Sequence, residues 1–421
     1  MFNYPDIDKE ILKTAKEKET VLEPVFKEID DISEANQFKV LNAFRKNRVS
    51  EACFNSGSGY GYGETGREIL ERVYSDIFHT EDALVRSQIT CGTHAIYLAL
   101  SANLLPGDEI LFASGKPYDS LEMSVGITPS ACSLAEAGVT NRIVDLKNAD
   151  SFDKDAIRNA INERTKIIAI QRSKGYKDRK SFTAEEIGEI TSYIKSINPE
   201  IIVFVDNCYG EFVCETEPTD YGADLMAGSL IKNPGGGLAP TGGYIVGRAD
   251  LIERCAFRLT APGLGKEVGP SLGILRSFYQ GLSLAPEITG QALKSAHFAA
   301  AMFEEYGYRV YPAPFEKHGC IVQAIDLLDP EKLGKFCGAI QRSSYVDSYV
   351  RPEGWNMPGY TDNVIMASGA FISGSSIELS ADGPMREPYT VFLQGGLTYE
   401  HGKYAVMNAL QEVTAFRSQE L

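Results

Sequence analysis

From residue 82 to 250 the chain alternates short, apolar, β-rich runs with segments of helical period. The runs cover 83–86, 109–113, 142–144, 166–171, 201–206, 225–229 and 243–247, and helical patterns fill 93–102, 153–163 and 184–197. Apolar strands traded against helices leave few architectures, so the expectation is an α/β fold with a mostly parallel sheet. Residues 5–50 read as helical, with Ile11, Leu12, Leu22, Val25, Phe26, Ile29, Ile32, Val40, Leu41 and Phe44 at mostly helical spacing, and Asp6 or Asp8 as cap. The Gly/Tyr loop SGSGYGYGETG (56–66) and a helix over 67–78 follow. Residues 250–306 read as largely helical. After about 310 the pattern shifts to strands at 321–325, 363–367 and 376–379 and a last helix at 399–416, as in a smaller α+β domain. The expected organisation is a helical segment and subunit-contact arm over 1–60, a large domain over 61–290 and a small domain over 291–421.

The formal charge is −16, which argues against a protein that coats nucleic acid or is anchored by basic residues to a membrane. No run approaches the ~18 apolar residues of a spanning helix. The opening MFNYPDIDKEILKTAKEKET lacks the layout of an export signal, so a cytoplasmic location is expected. Eight scattered cysteines with no CxxC pair suit free thiols, and none of the five histidines lies at ligand spacing from a cysteine, so no metal site is expected.

Gly61, Gly63 and Gly66 match GxGxxG, but no buried strand precedes them, so they are read as shaping an active-site or subunit-contact loop. In ITCGTHAIYLAL, an apolar run meets a helix at Gly92 and Thr93, where unpaired N–H groups can hold an anion; the competing reading is Thr93 as an ordinary N-cap. The run IIVFVD ends in Asp206, a carboxylate at the strand end where α/β proteins bind ligands, or else a cap of the next turn. In GSLIKNPGGG, Ser229 ends a strand and Lys232 follows in an apolar, Gly-rich turn. Burial there is expected to lower the lysine pKa and free the amine as a nucleophile.

The order of these elements resembles fold-type I pyridoxal-phosphate enzymes. The segments CGTHAIYLAL, GKPYDSLE, IQRSKGY, VDNCYGEF, GSLIKNPGGG, TAPGLGKEVG and ELSADGPMREPY resemble more closely the methionine gamma-lyase-like family of aluminium resistance proteins, allied to the cystathionine lyases. The resemblance implies pyridoxal 5'-phosphate in the large domain and a homodimer or homotetramer with shared sites. It implies Lys232 as the amine that holds the cofactor covalently and shuttles protons, Asp206 as partner of the ring nitrogen, and Gly92, Thr93 and Ser229 as phosphate holders. Tyr118 lies where allied lyases stack an aromatic ring on the cofactor, and Gln171 and Ser173 can reach its ring oxygen or the substrate. Lys174 and Arg179 are read as solvated. Arg386 is expected to clamp the substrate carboxylate, with Arg172 as the competing candidate. Tyr60, Tyr62 and Arg67 are candidates to reach the phosphate of a neighbouring subunit, with Tyr62 foremost, and Trp355 either lines the entrance or fills a core.

The implied reaction is β- or γ-elimination from a sulfur-containing amino acid. The rivals are an aminotransferase or another pyridoxal-phosphate enzyme on this fold, and a non-enzymatic cofactor-binding protein. The last would call for a DNA-binding domain or basic patch, and the sequence offers neither.

Overall fold

The computed structural model describes residues 6–357, 360 and 362–414. Asp8 caps the first helix by accepting the Glu10 N–H, and α1 runs over Lys9–Lys46. Then come α2 (Thr65–Ile77), β1 (Asp82–Arg86), α3 (Gly92–Asn103), β2 (Glu109–Phe112), α4 (Asp119–Val125), β3 (Thr140–Ile143), α5 (Lys154–Ala160), β4 (Thr165–Gln171), α6 (Ala184–Ile197), β5 (Ile202–Asp206), β6 (Leu225–Ser229), β7 (Gly243–Gly247), α7 (Ala249–Leu259) and α8 (Leu275–Glu305). The seven strands form one sheet in the order β1-β7-β6-β5-β4-β2-β3. Only β7 opposes its neighbours in direction.

Side chains alternate across a strand, so each central strand feeds two cores. Val203 and Val205 of β5 pack with Ile187, Ile190 and Ile194 of α6 and with Tyr279 and Leu282 of α8. Ile202 and Phe204 face the other way, toward Ile96 and Leu100 of α3 and Ile252 of α7. Each fully buried side chain of this kind is worth roughly 1.5–3 kcal/mol, which is why these strands read as continuous apolar runs.

The second unit contains β8 (Arg309–Tyr311), β9 (Gln323–Asp326), α9 (Pro330–Ser343), β10 (Val364–Ala367), β11 (Ser380–Pro384), β12 (Thr390–Gln394) and α10 (Tyr399–Thr414). Its antiparallel sheet has the order β10-β11-β12-β9-β8. Ile325, Ala381, Val391 and Leu393 pack on Phe336, Ile340, Val406 and Leu410, together with Phe303 of α8 and Ile11 of α1. The opposite face, with Ala324 and Phe392, meets Tyr176 and Tyr209 of the large unit.

Several expectations are corrected here. Residues 376–379 are not a strand; the strand begins at Ser380, and Ile377 instead fills a cluster with Ile29, Val213 and Leu293. The elements α4, α9, β8 and β12 have no counterpart among the expected elements, although Asp329 and Pro330 give α9 an N-cap and a proline start. The expected boundary between 290 and 291 falls inside the unbroken α8. α10 is described to Thr414, and residues 415 and 416 of the expected last helix lie outside the described residues.

Candidate active site

β4, β5 and β6 end side by side, and their last residues, Gln171, Asp206 and Ser229, line a cavity of about 460 Å3. Gly92, Thr93, Tyr118, Ser173 and Lys232 line it too. Asp382, Arg386, Phe392 and Gln394 of the second unit form the far wall. Open α/β sheets bind ligands at this end of their strands, because the connecting turns converge there.

The turn after β6 delivers Lys232. Leu230 N–H donates to the Gly242 carbonyl at 3.0 Å, which ties the start of the turn to the strand that follows. Gly235 then passes so close to Leu230 that a Cβ would sit 1.8 Å from its carbonyl oxygen. Only glycine fits, which explains the Gly-rich stretch after the lysine. The Gly92 backbone also comes close, though less so: a Cβ there would lie 3.3 Å from Cys208 Sγ and Ser229 Cβ and 4.0 Å from Lys232 Nζ. Cys91, not Thr93, is the N-cap of α3, its Sγ accepting the His94 N–H. Thr93 is thereby left to the cavity, where its hydroxyl accepts from the Tyr118 phenol at 3.2 Å and pairs with Ser120 Oγ at 3.2 Å.

Tyr118 N–H donates to Gln171 Oε1 at 3.1 Å, and Gln171 Nε2 donates to the Ser173 carbonyl at 2.9 Å. Asp206 is buried and its Oδ1 accepts the Cys208 N–H at 3.1 Å. Burial pushes its carboxyl up, and Lys232 and the Cys208 N–H oppose the rise. Lys232 Nζ lies 3.8 Å from the centre of the Tyr209 ring. Burial draws this ammonium down, but Cys208, Tyr209, Asp206 and Tyr118 outweigh burial and hold it above its usual range. The expected lowering is therefore corrected in direction: Asp206 and the face of the Tyr209 ring favour the charged amine against burial.

The remaining candidates divide between the cavity wall and positions away from it. Arg172 does not line the cavity. It is fully buried, paired with Glu217 at 3.0 Å, and donates to Asn207 Oδ1 at 2.8 Å and the Phe182 carbonyl at 3.2 Å. Tyr62 is exposed and stacks on Tyr60 at 5.3 Å, away from the cavity of its own chain. Arg67 is buried and donates to the Gly61 and Gly269 carbonyls at 2.9 and 2.7 Å, which pins the Gly/Tyr loop. Trp355 is half exposed, neither in a core nor on the cavity. Arg386 is on the cavity wall, held by Asp362 at 2.8 Å and by the Tyr176 carbonyl at 3.1 Å.

Lys174 and Arg179 are buried, not solvated. Lys174 Nζ donates to the Tyr311 carbonyl at 2.7 Å, 4.2 Å from the centre of that ring, and burial lowers it to about 8. Arg179 Nη2 donates to the carbonyls of Gln171 at 2.9 Å and Ser173 at 2.5 Å, fixing the strand end that meets Tyr118. Sequence reasoning missed Tyr209 and Asp382. Tyr209 follows Asp206 closely enough to have been suspected; Asp382 gives no signal until the second sheet is folded.

A family model for methionine gamma-lyase matches residues 11–414. The uncharacterized protein YnbB of Bacillus subtilis (strain 168) is 51% identical over 403 residues, 95% of this chain and 96% of the relative. The solved carbon-sulfur lyase involved in aluminum resistance from Clostridium novyi NT superposes with a TM-score of 0.92 at 49% identity, covering 96% of each chain. The pyridoxal-5'-phosphate dependent protein YhfS of Escherichia coli shares the fold at 17% identity and a TM-score of 0.62, over 92% of this chain and 97% of that one. A match that runs through both sheets and every loop of the cavity makes this chain a member of the methionine gamma-lyase family.

Proposed function

We propose that this chain is a pyridoxal-phosphate-dependent carbon–sulfur lyase acting on a sulfur-containing amino acid. The observation that carries the reading is a lysine, Lys232, walled by aromatic rings with Asp206 on one side and the Gly92 turn on the other. These residues fit the cofactor: a backbone approach that a Cβ would fill suits a phosphate, and Lys232, set against the Tyr209 ring beside the Gly92 turn, suits covalent attachment. When bound, the cofactor supplies an electron sink for charge developing at the substrate carbons.

In this reading Gly92, Thr93 and Ser229 hold the phosphate and Tyr118 stacks on the ring. Asp206 keeps the ring nitrogen protonated, and Gln171 and Ser173 face the ring oxygen or the substrate. Arg386 clamps the substrate carboxylate by a paired hydrogen bond. Lys232, displaced by the substrate amine, takes the substrate proton and later returns one. Phe392 and Tyr360 bring aromatic surface to the cavity wall. The chain works as a homodimer or homotetramer whose sites are completed across the interface by Tyr62.

The test supplies cystathionine, cysteine, homocysteine or methionine with no added oxo acid and follows ammonia, thiol and oxo acid. Sustained, matched release supports the lyase. A single turnover that restarts only on adding an oxo acid identifies an aminotransferase and overturns it.

A further inference from the structure

β11 shows one face to the core beneath α9 and α10 and the other to the cavity. Ala381 takes the core face. Asp382 therefore stands on the cavity face, opposite Phe392 in register, and lines the same cavity as Lys232. It is 5% exposed. Its Oδ2 accepts from Gln394 Nε2 at 2.8 Å, while Oδ1 makes no hydrogen bond of normal geometry. The titratable groups facing it are Tyr176 after β4, Tyr209 after β5, Lys232 after β6, Tyr360 before β10 and Cys337 of α9. Asp382 is thus the one carboxyl in this group, set across the cavity from the lysine.

Elimination places negative charge on the departing sulfur, and a proton there lowers the barrier. Lys232 is engaged at the substrate carbon. The Tyr118 phenol donates to Thr93, and burial with nearby Asp206 and Cys208 holds it well above its usual range, so it is a poor acid. We propose that Asp382 is the acid that protonates the departing sulfur, an assignment that rests on the lyase reading. Lys232 removes a proton from the carbon beside the one bearing sulfur. The electron pair left there forms the carbon–carbon double bond as the carbon–sulfur bond breaks and its pair moves onto sulfur. Sulfur takes the carboxyl proton and leaves as a neutral thiol, and solvent reprotonates the carboxylate between turnovers. Burial supports this use by raising the carboxyl to about 6, against the pull of Tyr176, Gln394 and Lys232.

The test compares S-alkyl cysteines, whose thiolates leave poorly, with S-aryl cysteines, whose thiolates leave without help. In Asp382→Asn holoenzyme, kcat should fall about 100-fold on the S-alkyl substrate and change little on the S-aryl one, within the range for one general acid. Asp382→Glu should recover part of the loss. Infrared difference spectra of the cofactor-free wild type and Asp382→Asn should show one carboxyl titrating near pH 6. Equal losses on both substrates, no titrating carboxyl, or a leaving-group dependence that appears in Tyr118→Phe instead would each overturn the assignment. A wild type that releases no thiol from either substrate overturns the lyase reading itself, and the assignment with it.

Discussion

The Lys232 ammonium rests 3.8 Å from the centre of the Tyr209 ring, and that ring is held by a backbone conformation few tyrosines adopt. Tyr209 has φ 72°, in the left-handed region, and Phe212 in the same loop has φ 63°. The buried Arg172–Glu217 pair braces the loop: Arg172 donates to Asn207, and Glu217 accepts the Phe212 N–H at 2.9 Å. Arg172 thus serves the site from beneath by fixing the loop that carries Tyr209.

Covalent attachment is expected at Lys232. Purified protein should be yellow, and borohydride should fix the cofactor to the peptide containing that lysine. A label found on another lysine sinks the assignment.

Asp206→Ala should fold, yet lose several decades of turnover, each decade being about 1.4 kcal/mol of barrier. The loss arises because no carboxylate remains to keep the ring nitrogen protonated. Near-normal turnover in this variant contradicts the role.

The two arginines should separate cleanly. Arg172→Ala leaves Glu217 buried and unpaired and should cost about 3–5 kcal/mol of stability. Arg386→Ala, on the exposed wall, should raise KM with little change in Tm. Thermal melts and KM measured together decide; a raised KM at unchanged Tm in Arg172→Ala reverses the assignment.

Glu211 is fully buried beneath the lysine turn and accepts from Tyr244 at 2.7 Å. Burial lifts it from 4.5 to about 8, against the Tyr244 hydrogen bond. An acid raised on folding binds an extra proton when folded, so wild-type stability should fall as pH rises from 4.5 to about 8. Glu211→Gln mimics the protonated form and should be more stable than wild type at pH 8 by a few kcal/mol, at about 1.4 kcal/mol per pKa unit, and equal to it at pH 4. Parallel pH curves in urea titrations would remove the claim.

Shared sites predict complementation. Mixing Lys232→Ala with Tyr62→Phe subunits should give activity unlike that of either variant alone, since a hybrid pairs one intact lysine with one intact tyrosine. A fully active monomer contradicts the arrangement.

The large unit was legible because its central strands are buried on both faces. β6 and β7 fall at 225–229 and 243–247, as read, and α6 at 184–197. The second unit was less legible. Its strands are short, and β11, Ser380–Pro384, reads as a polar loop until Ala381 meets the helices and Asp382 meets the cavity. Lys174 and Arg179 misled for a related reason: a charged loop looks solvated in one dimension, and only the packing of Tyr311 and the strand-end carbonyls supplies its partners.

The sequence by itself determined the α/β alternation, the Gly92 turn, Asp206 at a strand end and Lys232 in its glycine-rich turn, because each is written in local periodicity or steric demand. Tertiary structure decided that Arg172 is a buried brace, that Arg67 is held by backbone carbonyls, that Lys232 rests on the Tyr209 ring, and that Asp382 lines the same cavity. Those outcomes depend on groups distant in the chain, and charge, burial and hydrogen bonding are fixed only when such groups are brought within a few ångströms.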